Sequence, residues 1–301
     1  MIVEDVAFDR ALSYDLAIAA CGYERRSSYV ARQGLHARSQ LAVELTRVAE
    51  HSFALNLDEF GNRGWVFASL DDAMVGLRGL DGGATVAIDI SSMSRQFIAH
   101  LVLAVAGTVG IRFVDFIYAP ANFPESVRAA GDESVTLTAG PLLPSLRGSL
   151  RAASIPIGLV QGIGVEKYRA AGLVELLEPA RVWQFVAQGG DPRFDALLEE
   201  TRGSLGRASR AASVGYPIQS LRGTYGRISS LLFSQARELR MILAPSGPKI
   251  FALACILAAL DSDERYRPAV WRVGAPRYGL AYDVEEAGPV TVGRVHRMIS
   301  D

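Results

Sequence analysis

The chain has 301 residues, of which 50% are apolar, so it can bury the core of one large domain or of two smaller ones. Its 31 lysines and arginines nearly balance 32 aspartates and glutamates, which excludes a protein that binds duplex nucleic acid through a strong overall charge. Cys21 and Cys255 lie far apart and outside any CxxC spacing. This argues against a disulfide scaffold and predicts a reduced, cytoplasmic setting.

The N-terminal residues carry acids where a signal peptide would carry a basic region and an apolar core. The longest apolar run, residues 97–111, is shorter than the roughly 20 residues that span a bilayer, so we expect no membrane partner. Four histidines are scattered without the spacing of metal ligands, namely His36, His51, His100 and His296. We therefore expect neither a metal ion nor a bound cofactor.

The first half alternates apolar runs with segments that have a helical pattern. The predicted strands are residues 14–20, 40–48, 84–90 and 110–119, and the predicted helices begin near residue 28, cover 70–80 and begin near residue 94. Strands that are apolar almost continuously are typical of a parallel sheet covered on both faces. The alternation of strand and helix predicts βαβ units.

The second half repeats this order. The predicted strands are residues 155–161, 181–188, 241–244 and 269–274, and the predicted helices lie within 162–179, 191–205, 223–240 and 250–260. The sequence therefore predicts an α/β fold of two tandem Rossmann-like domains, residues 1–140 and 141–301, with mainly parallel sheets flanked by helices. A linker is predicted over residues 139–154, and a single mixed sheet with one extra layer remains an alternative.

Four polar turns follow predicted strands, at residues 21–28, 89–95, 161–167 and 245–249. In an open parallel sheet, ligands bind outside the carboxyl ends of the strands, where loops and helix N-termini converge. The four turns are therefore the candidate ligand-binding segments. No residue pattern in them identifies a catalytic group.

The turn DISSMSR contains Asp89, Ser91, Ser92, Ser94 and Arg95. One serine is explained as the N-cap of the following helix, which is worth about 1 kcal/mol. The remaining hydroxyls, the guanidinium and the exposed amides of a helix start are typical of a site for an anion such as phosphate. We therefore expect these five residues to bind a nucleotide-like ligand.

The turn CGYERRSS offers Tyr23 to stack on a base, Glu24 to accept from a sugar or base edge, and Arg25 to pair with phosphate. The alternative is a solvated loop with an internal pair between Glu and Arg. Both interpretations stay open on the sequence alone.

The turn PSGPK places Ser246, Gly247 and Lys249 at the start of an apolar helix. Gly and Pro are also ordinary residues at a helix start. However, Lys249 is one of only two lysines in the chain, and the other, Lys167, ends the turn QGIGVEK. This coincidence favours a binding role for both lysines.

The doubled arrangement, with SSMSR in the first half and SGPK in the second, resembles the CRISPR-associated Rossmann fold and the SAVED sensor domains. SGPK is similar to the G-T-K turn of those sensors, with Pro248 in place of the threonine. The resemblance implies a component of a prokaryotic antiviral defence or signalling system that senses a nucleotide or short oligonucleotide second messenger. It also implies a possible effector protein as partner.

Two other classes of function stay open. The stretch AIDISSMSR looks loosely like the ribose-phosphate loop of phosphoribosyltransferases, although a second acid and a loop glycine are absent. In such a nucleoside- or phosphoribosyl-processing enzyme, Asp89 would hold ribose hydroxyls, Ser91 to Arg95 the phosphate, and Glu24 would act as general base. The third class is a structural partner in a larger complex, with arginines at its interfaces.

Overall fold

A computed structural model describes residues 1–44, 50–123, 138–164, 167–203, 211–274 and 284–296. The fold is α/β, with two mostly parallel mixed sheets flanked by helices. The chain divides into two compact units. The first comprises Met1–Pro124, Gln219–Arg222 and Ala281–Asp301, and the second comprises Glu125–Ile218 and Gly223–Leu280.

The sheet of the first unit has the order β1-β13-β6-β5-β2-β3-β4. Its strands are β1 (Ile2–Val6), β2 (Ser13–Cys21), β3 (His36–Glu44), β4 (Val66–Ala68), β5 (Ala84–Asp89), β6 (Ile111–Tyr118) and β13 (Thr291–His296). The five strands from β6 to β4 run parallel, whereas β13 pairs antiparallel with both β6 and β1. Numbered along the chain, the parallel strands lie in the order 3-2-1-4-5.

Helices cover both faces of this sheet, and β2 packs against helices on each of its two sides. The helices are α1 (Tyr29–Arg32), α2 (Glu50–Asn62), α3 (Leu70–Arg78) and α4 (Arg95–Ala106). Ala17, Ala19 and Cys21 of β2 join a core cluster with residues of α1 and α2. Gly76 of α3 lies against Leu16, whose side chain points to the other face. This is why β2 is a continuous apolar run.

The sheet of the second unit has the order β10-β9-β8-β11-β12-β7. Its strands are β7 (Thr138–Pro141), β8 (Ile157–Gly162), β9 (Arg181–Gln188), β10 (Ala212–Pro217), β11 (Arg240–Ala244) and β12 (Ala269–Gly274). The strands from β10 to β12 are parallel and again lie in the order 3-2-1-4-5, and β7 is antiparallel to β12.

The remaining helices are α5 (Lys167–Leu177), α6 (Arg193–Gly203), α7 (Leu221–Gln235) and α8 (Lys249–Leu260). Residues 250–259 of α8 are all buried, which accounts for a helix that is apolar on every side. Among the described residues, no helix has the length and apolar character to cross a membrane.

The prediction of α/β structure with mainly parallel sheets is confirmed, and the single-sheet alternative is wrong because the strands form two sheets. Several boundaries differ. The predicted linker contains β7 and a short 3-10 helix, Pro144–Leu146. The division at residue 140 places the C-terminal residues with the second half, whereas β13 is hydrogen-bonded between β6 and β1 of the first sheet.

Two predicted segments of the first unit differ in detail from the described structure, and one helix there is absent from the predictions. The strand predicted at residues 40–48 is β3, which begins at His36 and ends at Glu44, and residues 45–49 lie outside the described part. The helix predicted from residue 28 is a 3-10 helix, Arg25–Ser28, followed by the four-residue α1. Helix α2 was not predicted, although Phe53, Leu57 and Phe60 pack against the core of the first unit.

Candidate functional site

Two of the predicted turns in the first unit follow adjacent strands, β2 and β5. These strands are parallel, so their carboxyl ends lie at the same edge of the sheet. The hydroxyl Oγ of Ser92 donates a hydrogen bond of 3.1 Å to Oε2 of Glu24 and thereby joins the two turns directly. We define the carboxyl-edge cluster as Glu24, Arg26, Asp89, Ser91, Ser92, Arg95 and Tyr118.

The turn after β2 is held rigidly by side chains within it and by α2. Ser27 Oγ donates to the carbonyl of Ala20 and accepts from the amide of Gly22 at 2.9 Å. Asn56 of α2, which is buried, donates to the carbonyls of Gly22 and Glu24, each at 2.8 Å. These bonds satisfy backbone groups that a flexible loop would leave to water, so the turn has a fixed shape.

Arg26 is the buried cation of the cluster. Its Nε donates to Oε2 of Glu24 at 2.8 Å, and its Nη1 donates to the carbonyl of Ala119 at 3.2 Å. It also hydrogen-bonds the hydroxyl of Tyr118, the last residue of β6. Burial disfavours the charge of the guanidinium, but Glu24 and Tyr118 outweigh this effect, so the pKa of Arg26 is raised. Arg26 therefore stays charged and links the turn after β2 to the end of β6.

The turn after β5 is built around Asp89. Its Oδ1 accepts from the amide of Ser91 at 3.0 Å and from the Ser91 hydroxyl, and Ser91 Oγ accepts from the amide of Ala119 at 2.8 Å. Ser94 is the N-cap of α4, and its Oγ accepts from the amide of Phe97 at 3.1 Å. Ser94 thus has the capping role expected for one of the serines, and Arg95 is the first residue of α4.

One carboxyl group of the cluster, that of Asp89, has a raised pKa. Burial raises the pKa of Asp89 to about 6, although the hydrogen bonds from Ser91 and the charge of Arg26 act in the opposite direction. The buried carboxylate is therefore costly at neutral pH. Its hydrogen bonds with Ser91 order the turn that leads into α4.

Replacing Asp89 by asparagine is expected to change the pH dependence of stability. Because the pKa of Asp89 is raised in the folded state, its contribution is fully present below the unfolded value and is lost as the pH rises through about 6. Between pH 4 and pH 8, the free energy of unfolding of the wild type should fall by about 2–3 kcal/mol relative to Asp89→Asn. Denaturant unfolding of both proteins at each pH measures this difference.

The matched control for that experiment is Asp81→Asn, which removes an exposed carboxylate near the start of β5. The difference between wild type and Asp81→Asn should stay constant over the same range. A constant difference for Asp89→Asn as well would show that the Asp89 carboxyl is not desolvated.

The structure brings together most of the residues predicted in the first unit. Glu24 and Ser92 are bonded to each other, Asp89 and Ser91 form one turn, and Ser94 and Arg95 begin α4. Arg25 is exposed and pairs with Glu285 at 2.9 Å. The buried arginine is its neighbour Arg26, which was not among the predicted ligand residues. Tyr23 is half-buried in the same turn.

Three residues of the site were missed by sequence reasoning, namely Arg26, Asn56 and Tyr118. Asn56 comes from α2, and Tyr118 ends a strand read only as apolar. The amide of Arg26 also donates to the carbonyl of Val284, at 3.2 Å. Tyr118 could have been found from its position, because it is a polar residue at the carboxyl end of a parallel strand. Nothing in the sequence indicates that Asn56 reaches the turn.

The predicted residues of the second unit lie at the carboxyl ends of β8 and β11, again adjacent parallel strands. Lys167 begins α5 and Lys249 begins α8. Gly247 has φ of +82°, and a Cβ there would lie 3.0 Å from the carbonyl oxygen of Ile163. A Cβ on Gly162 would lie 2.2 Å from the carbonyl oxygen of Ser246. The turn therefore packs closely on the end of β8, which gives these glycines a structural reason.

Gln161 is a further polar residue at this edge. Its side chain is 2% exposed, and its amide atoms have no hydrogen-bond partner among the described residues. It lies beside Gln184 of β9 in the sheet register. Among the described residues, no group of three His, Cys, Asp or Glu side chains is arranged to hold a metal ion.

A comparison with protein-family models matched none of them, and a comparison with curated proteins found no similar sequence.

Proposed function

We propose that the first unit binds a nucleotide or short oligonucleotide at the carboxyl-edge cluster. The observation that carries the proposal is the strand order 3-2-1-4-5 together with the bond from Ser92 to Glu24. In Rossmann-like sheets of this order, ligands bind between strands 1 and 4, where the crossovers change direction. Those strands are β2 and β5, and the cluster lies at their carboxyl ends. The repeated order in the second sheet supports a tandem Rossmann-like architecture.

The phosphate is assigned to the N-terminus of α4. This helix has 12 residues, so its first turn offers backbone amides and a favourable dipole to an anion. Arg95 at its first position adds a guanidinium, and Ser92, which is half-buried just before it, adds a hydroxyl. By contrast, α1 after β2 has only four residues. That helix is too short to offer a comparable site.

The sugar or base is assigned to the turn after β2. Glu24 keeps 18% of its side chain exposed while one oxygen accepts from Arg26 and Ser92. A partly exposed carboxylate held in this way is suited to accept hydrogen bonds from ribose hydroxyls or a base edge. Tyr23, half-buried beside it, offers an aromatic ring for stacking.

A binding role is favoured over the enzymatic alternative by the engagement of both carboxylates. Asp89 is 2% exposed and bonded to Ser91, and Glu24 is paired with Arg26, so neither is presented as an unbonded base. We therefore propose a sensor or accessory component of a prokaryotic defence or signalling system, in keeping with the likeness to SAVED domains. An effector protein would be its partner.

The proposal is tested by incubating the protein with mononucleotides and with linear and cyclic oligonucleotides. We expect a thermal shift with at least one ligand, which mass spectrometry should recover unchanged. For that ligand, Arg95→Ala should weaken binding by about 1–3 kcal/mol, because a charge-assisted bond to phosphate is lost.

The control is Arg78→Ala, which removes an exposed arginine from the C-terminal end of α3. Its affinity should equal that of the wild type. Conversion of the ligand to product would favour the enzyme, and the absence of a shift with every ligand would favour the structural partner.

A further inference from the structure

A basic surface lies in the second unit, at the amino ends of its strands. A cavity of 330 Å³ is lined by Pro144, Ser145, Arg147, Gly148, Ser149, Glu264 and Arg267. It adjoins a smaller cavity of 140 Å³ through four shared residues, and the smaller one adds Arg151 and Arg240 to its lining. We call the two together the arginine cavity. It lies at the opposite edge of the sheet from the predicted ligand residues of this unit, beside the first residues of β8, β11 and β12.

The charge of the arginine cavity is strongly one-sided. Four arginines line it, Arg147, Arg151, Arg240 and Arg267, against a single acidic residue, Glu264. That carboxylate is 87% exposed, and its contact with Arg267 is long, at 3.5 Å. The chain as a whole has a net charge of −1, so this concentration of positive charge is local. An exposed pair of this kind stabilises little and neutralises only part of the cavity.

Two of the arginines have structural bonds that fix them in place. Arg151 donates to the carbonyls of Ala236, Arg237 and Leu239 after the end of α7 and stacks on the ring of Tyr266 at 5.3 Å. Arg240 donates from Nε to the carbonyl of Ile155 at 2.8 Å. Because these groups are anchored to backbone carbonyls, their positions are fixed and they form a preorganised wall of the cavity.

The other two arginines have donors available to a ligand. The side chain of Arg267 is 29% exposed, and its Nη2 lies 3.5 Å from Oε1 of Glu264, a contact long enough to leave that end of the guanidinium accessible to an acceptor. Arg147 is exposed at the mouth, and the hydroxyls of Ser145 and Ser149 lie in the same lining. An arginine fork and hydroxyls suit a tetrahedral oxyanion with several acceptor oxygens.

The backbone of the segment that lines the cavity has a conformation that requires a glycine at residue 148. Gly148 has φ of +80°, and a Cβ there would lie 2.7 Å from the amide nitrogen of Ala269. The amide of Ser149 donates to the carbonyl of Arg267 at 3.0 Å. The segment carrying Arg147 is thereby held against the start of β12 and the residues just before it.

We propose that the arginine cavity is a binding site for the phosphoryl group of a small molecule, independent of the carboxyl-edge cluster. The volume of its larger part is in the range of small-ligand sites, and its four arginines line two adjoining concave spaces rather than forming a stripe along a surface. A compact phosphate or pyrophosphate group matches this geometry better than the extended backbone of a nucleic acid.

Isothermal titration calorimetry of the full chain with inorganic pyrophosphate and with ribose 5-phosphate tests the proposal. We expect binding of at least one of these probes, weakened about tenfold or more in Arg147→Ala. Arg265→Ala is the matched control, since Arg265 is exposed, pairs with Asp263 at 2.9 Å and is outside the lining of the cavity. It should bind within about twofold of the wild type.

Circular dichroism should show that both variants are folded, because Arg147 and Arg265 are exposed. The proposal is overturned if neither probe binds to the wild type or if Arg147→Ala binds as well as the wild type. It is also overturned if binding is lost in Arg95→Ala and retained in Arg147→Ala, which would assign the probe to the first unit. Tighter binding of a single-stranded RNA than of either probe, sensitive to Arg147, would contradict a compact ligand.

Discussion

Replacing Arg26 by methionine is expected to lower the free energy of unfolding by about 3 kcal/mol, as measured by denaturant titration. The guanidinium is 6% exposed and neutralises Glu24, so its removal leaves a carboxylate without its counterion. It also removes the donor to the carbonyl of Ala119. The expected cost is at the lower end for a broken buried pair, because Glu24 keeps 18% of its side chain exposed.

The neighbouring residue provides the control. Arg25→Met removes a pair with Glu285 in which both side chains are more than half exposed, so its cost should stay below about 1 kcal/mol. In the double variant Arg26→Met with Glu24→Gln, the cost should be smaller than the sum of the two single changes. Equal effects of Arg25→Met and Arg26→Met would contradict the assignment of the buried cation.

The substitution Asp115→Ala is expected to cost about 3–5 kcal/mol, the largest effect in the first unit. Asp115 is 1% exposed and accepts from Arg294 through two bonds, of 2.7 and 2.8 Å, and from the hydroxyl of Tyr14 at 2.7 Å. These residues belong to β6, β13 and β2. The change therefore leaves a guanidinium and a phenol without their shared acceptor, and it weakens the attachment of β13.

The control is Glu4→Ala, which removes a pair between β1 and the same strand β13. Glu4 pairs with His296 of β13 at 2.8 Å, but these side chains are 44% and 34% exposed, so the cost should be below about 1 kcal/mol. Adding Tyr14→Phe to Asp115→Ala should cost less than Tyr14→Phe alone, since the phenol has already lost its partner. A cost of Asp115→Ala no larger than that of Glu4→Ala would contradict the pairing of β13 with β6.

The sequence was informative where structure depends on local pattern. Continuous apolar runs predicted β2, β5 and β6, and the polar turn from Asp89 to Arg95 was placed correctly between a strand and a helix. Patterns of this kind arise because each of these strands is covered on both faces. The position of the carboxyl-edge cluster followed from these strand predictions.

Features that depend on distant pairing were not predictable in this way. Strand β13 pairs with β1 and β6 from the other end of the chain, and most of β7 lies in the predicted linker, because this strand is short and rich in Gly and Pro. Which of Arg25 and Arg26 is buried depends on the orientation of one 3-10 helix. Asn56 reaches its partners across 34 residues of sequence. Such contacts are set by tertiary packing rather than by local periodicity.

The central claim is that a nucleotide-like anion binds where the turns after β2 and β5 meet. Titration of isotope-labelled protein with the ligand from the nucleotide panel, followed by amide chemical shifts, tests it most directly. We predict the largest shifts at Ser92 to Gln96 and at Tyr23 and Glu24, and their loss in Arg95→Ala. Shifts confined to other segments, with these residues unchanged at saturation, would contradict the account.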